Sequence, residues 1–280
     1  MKPAIPYPGG LLSNLRTALV MLSLGITPLG LSGQASAEAV DSELVLLVDV
    51  TQSGLNKKDF GSLMESYAST FTSTQVLNSI QSGTYGRIAV SLMFYGNSSV
   101  QQVGIPWMSI GNATDAAKFA ALATSVSRPF SNGTSDIASA LTAATLTIGK
   151  ETGGLANGFE SKVQIIDVAA ASTPKSGAQA TRDAVLASGV DVINAIALGN
   201  KASAIASYFS SEVIGSSLSG VAATSGTSAL SAALTGTLTT QISNTVNMGV
   251  LGGATAVPEP NTAFALITGL GFLLIIRRRS

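Results

Sequence analysis

Continuous apolar runs of strand length alternate along the chain with segments in which apolar residues recur every three to four positions. The apolar runs are at residues 43–48, 87–95, 163–168 and 190–197. The helical spacing is found at residues 59–71, 113–126, 136–148 and 177–188. Residues 100–107 are expected to form an edge strand, because Pro106 cannot donate a ladder hydrogen bond. The pattern predicts an α/β fold with a mostly parallel central sheet and helices on both faces.

One further helix is predicted near the C-terminal end of the folded region. The chain after residue 215 is rich in Ser, Thr, Gly and Ala, and its apolar residues recur at every fourth position. They are Leu230, Leu234, Leu238, Ile242 and Val246. We therefore expect the main domain at residues 42–215, and this helix with a flexible linker at residues 216–256.

The N-terminal residues 1–37 have the three parts of a secretory signal peptide. Basic Lys2 and Arg16 precede an apolar run, and the small-x-small sequence Ala35-Ser36-Ala37 follows it. Signal peptidase is expected to cut after Ala37, so that the mature chain begins at Glu38. The alternative is an N-terminal anchor that is not cleaved.

Residues 257–280 form a tail with three successive features. Pro258-Glu259-Pro260 is followed by an apolar stretch at residues 262–276, and then by Arg277, Arg278 and Arg279. An apolar stretch of about 15 residues is short for a membrane span, but flanking arginines can extend it. The arginines are expected to stay in the cytoplasm, with the body on the other side of the membrane.

This tail resembles the PEP-CTERM sorting signal in all three features and in their order. The resemblance implies recognition by an exosortase in a Gram-negative bacterium that makes exopolysaccharide. The protein would be held briefly in the inner membrane and would then reach the cell surface or the extracellular matrix of a biofilm. An ordinary tail anchor is the alternative.

Composition narrows the possible chemistry. Charged residues make up 11% of the chain, with 15 Lys and Arg against 15 Asp and Glu. The chain has no basic stripe, so a nucleic-acid partner is not expected. It has neither Cys nor His, which excludes disulfides, thiolate metal sites and histidine bases.

Three loops that are expected to follow strands or precede a helix carry carboxyl and hydroxyl groups. In parallel α/β sheets, ligands bind outside the carboxyl ends of the strands. From about Glu43 to Val213 the chain resembles the von Willebrand factor A domain, and most closely a bacterial exported branch of uncharacterised function. The resemblance is carried chiefly by Leu46-Leu47-Val48-Asp49-Val50, Gly133-Thr134-Ser135 and Ile165-Ile166-Asp167-Val168.

The resemblance implies a metal-ion-dependent adhesion site. The family motif is Asp-x-Ser-x-Ser, with a Thr from a second loop and an Asp from a third, and such hard oxygen ligands suit Mg²⁺. Asp49, Thr51 and Ser53 match the first loop and Thr134 the second, but Ala171 replaces the third-loop carboxylate. Either the site is degenerate and empty, or Asp49, Thr51, Ser53 and Thr134 bind Mg²⁺ or another divalent cation weakly. No other cofactor is expected.

Two further acidic residues near these loops are expected to be structural. Asp136 precedes a predicted helix and is a good N-cap residue. Asp167 is expected to accept hydrogen bonds from loop amides.

The sequence predicts a binding or adhesion module and no enzymatic activity. Its ligand would be an extracellular protein or polysaccharide, and exosortase and signal peptidase would be its processing enzymes. The chain contains no Gly-x-Ser-x-Gly pattern, and it has no His to serve as the base for a Ser nucleophile. A structural matrix protein without metal-dependent binding is the alternative, and a Ser-based hydrolase is less favoured.

Overall fold

The structure is a computed structural model that describes residues 36–251, apart from residues 52–53, 130–132, 175–176, 217–218 and 225–226. For residues 227–229 and 245–251 it describes the backbone only. Most of the predicted signal peptide and the whole predicted tail lie outside the described residues, so both stay predictions. Among the residues that are described, no helix is long and apolar enough to cross a membrane.

Strands and helices alternate through most of the described chain. The strands are β1 (Glu38–Ala39), β2 (Glu43–Asp49), β3 (Ile88–Tyr95), β4 (Gln101–Ile110), β5 (Phe159–Glu160), β6 (Gln164–Ala170), β7 (Val192–Leu198) and β8 (Val221–Thr224). The helices are α1 (Lys57–Phe71), α2 (Thr74–Gln81), α3 (Ala113–Ser125), α4 (Ile137–Ile148), α5 (Gln179–Ala187), α6 (Ala202–Glu212) and α7 (Thr227–Leu251).

Six strands form one sheet in the order β4-β3-β2-β6-β7-β8. All neighbouring pairs are parallel except β3 with β4. The strand that contains Pro106 therefore lies at the edge of the sheet, as its sequence predicted. The short strands β1 and β5 pair separately.

Side chains of β2 alternate between two apolar layers. Leu44, Leu46 and Val48 face the layer that contains α1, α2, α3 and α7, while Val45 and Leu47 face the layer that contains α4, α5 and α6. Every residue of β2 is buried, which explains why its sequence is continuously apolar from Leu44 to Val48. The predicted α/β fold, with a mostly parallel sheet and helices on both faces, is confirmed.

The packed body continues past residue 215. β8 pairs with β7, and α7 places Leu230, Leu234, Leu238 and Ile242 in the same core as α1 and α2. These four side chains are at most 3% exposed. The packed body therefore includes residues that were expected to form a separate helix and linker.

Candidate functional site

The candidate site is built around Asp49, the last residue of β2. Asp49 is fully buried, and β2 lies between β3 and β6 near the middle of the sheet. The Thr51 backbone N–H donates to Asp49 Oδ1 at 2.9 Å, and the Ser172 hydroxyl donates to Oδ2 at 3.1 Å. The carboxylate is thus bonded by its own loop and by the loop that follows β6.

Two more hydroxyl groups surround the same carboxylate. Thr51 Oγ1 and Ser135 Oγ lie close enough to favour the charged form of Asp49. Both oxygens are buried, and neither reaches hydrogen-bond geometry with a described partner. A Cβ added at Gly54 would lie 3.1 Å from the Asp49 carboxyl carbon and from Thr51 Oγ1. The absence of a side chain at Gly54 therefore lets its backbone lie close to the Asp49 carboxylate and the Thr51 hydroxyl.

Burial raises the pKa of Asp49 above its ordinary value. The Thr51 N–H and the hydroxyls of Thr51, Ser135 and Ser172 oppose this effect because they stabilise the ionised form. Burial has the larger effect, so the pKa of Asp49 stays raised. The ionised form of Asp49 therefore lowers the stability of the fold.

The structure brings together some of the predicted site residues and separates others. Asp49 and Thr51 are adjacent and buried, whereas Thr134 is exposed and its neighbour Ser135 faces Asp49. Ser53 lies outside the described residues. Ser135 and Ser172 were not predicted as site residues, although they directly follow Thr134 and Ala171 in the chain.

The structural predictions for Asp136 and Asp167 have different outcomes. Asp136 caps α4, because its Oδ1 accepts the backbone N–H of Ser139 at 3.0 Å, so the N-cap prediction is confirmed. The prediction for Asp167 is wrong. Asp167 lies inside β6, is fully buried, and neither carboxyl oxygen has a hydrogen-bond partner among the described residues. A carboxylate in the interior of a strand faces a helix layer, where no loop amide reaches it.

The residues around Asp49 fit tight Mg²⁺ binding poorly. All of their donors are hard oxygens, which suits the ion, but Asp49 is the one carboxylate among them. Its oxygens already accept hydrogen bonds from Thr51 and Ser172. Within the described ranges, no group of three or more Asp, Glu, His or Cys residues is placed to hold a metal ion. The geometry favours a carboxylate held by hydroxyl groups.

Arg128 anchors the loop that carries this site. Its Nη2 donates to the carbonyl oxygens of Val50 and Thr51, both at 2.7 Å. Next to it, a groove of about 640 Å³ is lined by residues that include Phe60 and Met64 of α1 and Val126 after α3. This role could not be predicted from the sequence, because Arg128 is 77 positions away from Thr51 along the chain.

Solved structures with a similar arrangement share little sequence with this chain. A pilus adhesin, SpaC from Lactobacillus rhamnosus GG, is 13% identical with a TM-score of 0.49, over 74% of this chain and 30% of that chain. A von Willebrand factor type A structure from Catenulispora acidiphila is 12% identical with a TM-score of 0.44, over 74% of this chain and 43% of that chain.

A third solved structure is proximal thread matrix protein 1 from the mussel byssus, with a zinc-occupied MIDAS motif. It is 18% identical with a TM-score of 0.46, over 73% of this chain and 48% of that chain. The chain thus spans less than half the length of each of these three proteins.

No curated protein sequence matches the chain. A family model described as "Protein of unknown function (DUF1194)" matches residues 39–246, which include every strand from β2 to β8 and most of α7. The chain therefore belongs to the family described as Protein of unknown function (DUF1194).

Proposed function

We propose that this protein is an exported binding or adhesion module that acts at the surface or in the extracellular matrix of a Gram-negative bacterium. The observation that carries the proposal is the site at the carboxyl ends of the strands. There, one buried carboxylate, Asp49, is surrounded by hydroxyls from three separate loops, those of Thr51, Ser135 and Ser172. Such convergence is typical of a ligand site in a parallel α/β sheet.

The binding activity proposed for this site does not depend on a tightly bound cation. A carboxylate that already accepts two hydrogen bonds has less capacity to replace the hydration shell of Mg²⁺. The proposed ligands are an extracellular protein or a polysaccharide, whose hydroxyl and amide groups are matched by the uncharged polar surface of the chain. Catalysis is not part of the proposal.

A binding experiment separates this function from a purely structural matrix role. Exopolysaccharide purified from the producing strain, or its extracellular protein fraction, is titrated with the purified protein in the presence and absence of EDTA. We expect saturable binding that EDTA does not weaken. Association that rises without saturation would support a structural role, and loss of binding in EDTA would show that a cation is required.

The export route is the second part of the proposal. It rests on the signal peptide at residues 1–37 and on the sorting tail at residues 257–280. Replacing Pro258-Glu259-Pro260 with three alanines in the native host should leave a longer form in the inner membrane. A substituted protein with the mass and location of the wild type would contradict sorting by an exosortase.

A further inference from the structure

A second cluster of buried polar side chains lies in the same sheet, away from Asp49, beneath α1 and α7. Asp167 is on the face of β6 that also carries Ile165 and Ala169 in the core shared with these helices. Asn194 is its register partner on β7. Asp167 acts electrostatically on Tyr67 of α1, and Gln241 of α7 approaches the Asp167 carboxyl group.

All four side chains are buried almost completely. Asp167 and Tyr67 are 0% exposed, Asn194 is 1% exposed and Gln241 is 5% exposed. No described residue hydrogen-bonds either oxygen of Asp167, the Tyr67 hydroxyl, the Asn194 amide nitrogen or the Gln241 amide group. Most buried polar groups in folded proteins are hydrogen-bonded. A cluster with several buried donors and acceptors that lack described partners therefore needs a specific explanation.

Among the described residues, no basic side chain is close enough to Asp167 to stabilise its charged form. Burial raises its pKa to about 7, and the approach of Gln241 lowers it by less. Tyr67 is the titratable group that faces Asp167 from α1, and burial together with Asp167 raises the pKa of Tyr67 well above its ordinary value. The described side chains of α2 and α7 are all uncharged. On α1, Lys57, Lys58 and Glu65 are exposed and the half-buried Asp59 is bonded to Asn56, and on α3 Lys118 pairs with Asp115.

Because no described basic side chain is close to Asp167, the neutral, protonated form of its carboxyl group is favoured. An isolated buried carboxylate without a cation is strongly disfavoured, and retention of the proton removes that cost. A protonated carboxyl group can donate to the Gln241 side-chain oxygen, and the Gln241 amide can donate to its second oxygen.

The other contacts of the helix that carries Gln241 are apolar packing and pairs of side-chain hydroxyls. Leu230, Leu234, Leu238 and Ile242 pack α7 against the core. Hydroxyl pairs along its sides connect it to α1 and α2. They are Ser231 with Ser69 at 2.7 Å, Thr235 with Thr70 at 3.3 Å, and Ser243 with Ser79 at 3.3 Å. In sequence, α7 directly precedes the predicted linker and sorting tail.

We propose that protonated Asp167 and Gln241 form a neutral latch that fastens α7 to the sheet, and that loss of this proton loosens α7. In the closed state the two side chains exchange hydrogen bonds inside the core. In the open state α7 moves enough to hydrate the carboxylate. The body thereby couples pH to the freedom of the segment that leads to the predicted tail.

The direction of the pH dependence follows from the raised pKa in the closed state. Docking of α7 is tightest below the ordinary pKa of an aspartic acid, near 4. The opening constant rises by up to about tenfold per pH unit between about pH 4 and about pH 7, and it levels off above that range.

Hydrogen exchange of the α7 amides tests the latch in the full chain. Exchange at residues 230–244 is measured from about pH 4 to about pH 8 and corrected for the chemical rate, so that only the opening equilibrium remains. We expect opening of the wild type to increase by at least about tenfold across this range. Asp167→Asn, which cannot ionise, should remove that increase, whereas the exposed control Glu65→Gln should retain it.

Two results would overturn the latch. One is opening of wild-type α7 that does not change with pH, and the other is the same pH dependence in Asp167→Asn. Titration of the carboxyl carbons by NMR in the wild type does not depend on a variant that folds. Asp167 should titrate near pH 7, and a midpoint in the ordinary range for aspartic acid would also contradict the proposal.

Discussion

Three buried carboxylates in this fold are stabilised to different degrees by their neighbours. Asp49 accepts hydrogen bonds from a backbone amide and a serine hydroxyl. Glu43 accepts them from Asn157 and Ser161, whereas Asp167 has none among the described residues. Burial raises the pKa of all three groups. Each therefore lowers the stability of the fold as it ionises, and this cost is acceptable where the carboxylate serves a site or a switch.

Glu43→Gln should make the fold less sensitive to pH. Burial raises the pKa of Glu43 from 4.5 to about 7, so its contribution to stability is present below pH 4.5 and is lost as the pH rises to about 7. Relative to the wild type, the variant should gain about 1–2 kcal/mol of unfolding free energy between about pH 4 and about pH 8. This gain is smaller than the raised pKa alone implies, because the substitution also changes the hydrogen bonds with Asn157 and Ser161.

Urea unfolding at both pH values measures this difference, with the exposed Glu65→Gln as the control. If Glu43→Gln and the wild type differ by the same free energy at both pH values, the raised pKa of Glu43 is contradicted.

Single residues were predictable from sequence where local chemistry specifies their role. Asp136 was identified as a cap because a short acidic side chain before an apolar helix has one common local use. Ser135 and Ser172 were missed because a loop hydroxyl carries no periodic signal, and only the fold decides which neighbour turns inward. Asp167 was misassigned because it was grouped with the loop that follows the strand, although it lies inside the apolar run at residues 163–168 and in β6.

At the scale of elements, the loop after β2 depends on Arg128. Arg128→Met removes two hydrogen bonds from a charged donor to the Val50 and Thr51 carbonyls. It should lower the unfolding free energy by about 1–3 kcal/mol and speed amide exchange in the loop at residues 50–54. Arg128→Lys keeps the charge and should lose less. Unchanged stability and exchange in Arg128→Met would contradict the anchoring role.

α7 is expected to contribute to the core as strongly as the earlier helices do. Leu234 is 0% exposed in α7, so Leu234→Ala should cost about 2–5 kcal/mol of unfolding free energy. Leu146 of α4 is 54% exposed, and the matched change Leu146→Ala should cost less than about 0.5 kcal/mol. Chemical denaturation of both variants checks the contrast. A small effect at Leu234 would mean that α7 is not an integral part of the folded body.

Long periodic elements were predicted well, and short polar ones were not. β2, β3, β6 and β7 were visible as apolar runs because both of their faces are buried. By contrast, α2, α6 and β8 were missed. Each of them buries few large side chains, which are Val76 and Ile80 in α2 and Ile205 and Phe209 in α6. Their structure depends on packing against elements that are distant in sequence.

At the scale of the whole molecule, the predicted cleavage point lies directly before the first strand. β1 begins at Glu38, whose backbone N–H donates to the Gly158 carbonyl at 2.8 Å. Its carboxylate accepts from Arg87 at 2.7 Å and from Ser109 at 3.0 Å. Removal of residues 1–37 would leave all of these contacts in place, because a new α-amino group can still donate to Gly158.

N-terminal sequencing of the exported protein should therefore begin at Glu38. Ala37→Arg should block processing, because signal peptidase requires a small residue at that position. Ser36→Gln, at the intervening position, should be processed normally and serves as the control. A mature wild-type protein that begins at Met1 would contradict the signal peptide.

The charge around Asp49 tests the proposal that this site is a degenerate metal-ion-dependent adhesion site. Calorimetric titration with Mg²⁺, in one buffer, compares the wild-type protein with Ala171→Asp, which adds the carboxylate that the von Willebrand factor A pattern has in the third loop. The wild type should bind more weakly than about 1 mM or not at all, and Ala171→Asp should bind at least about tenfold more tightly, because a second negative charge attracts the cation. Tight, stoichiometric Mg²⁺ binding by the wild type would contradict the degenerate site.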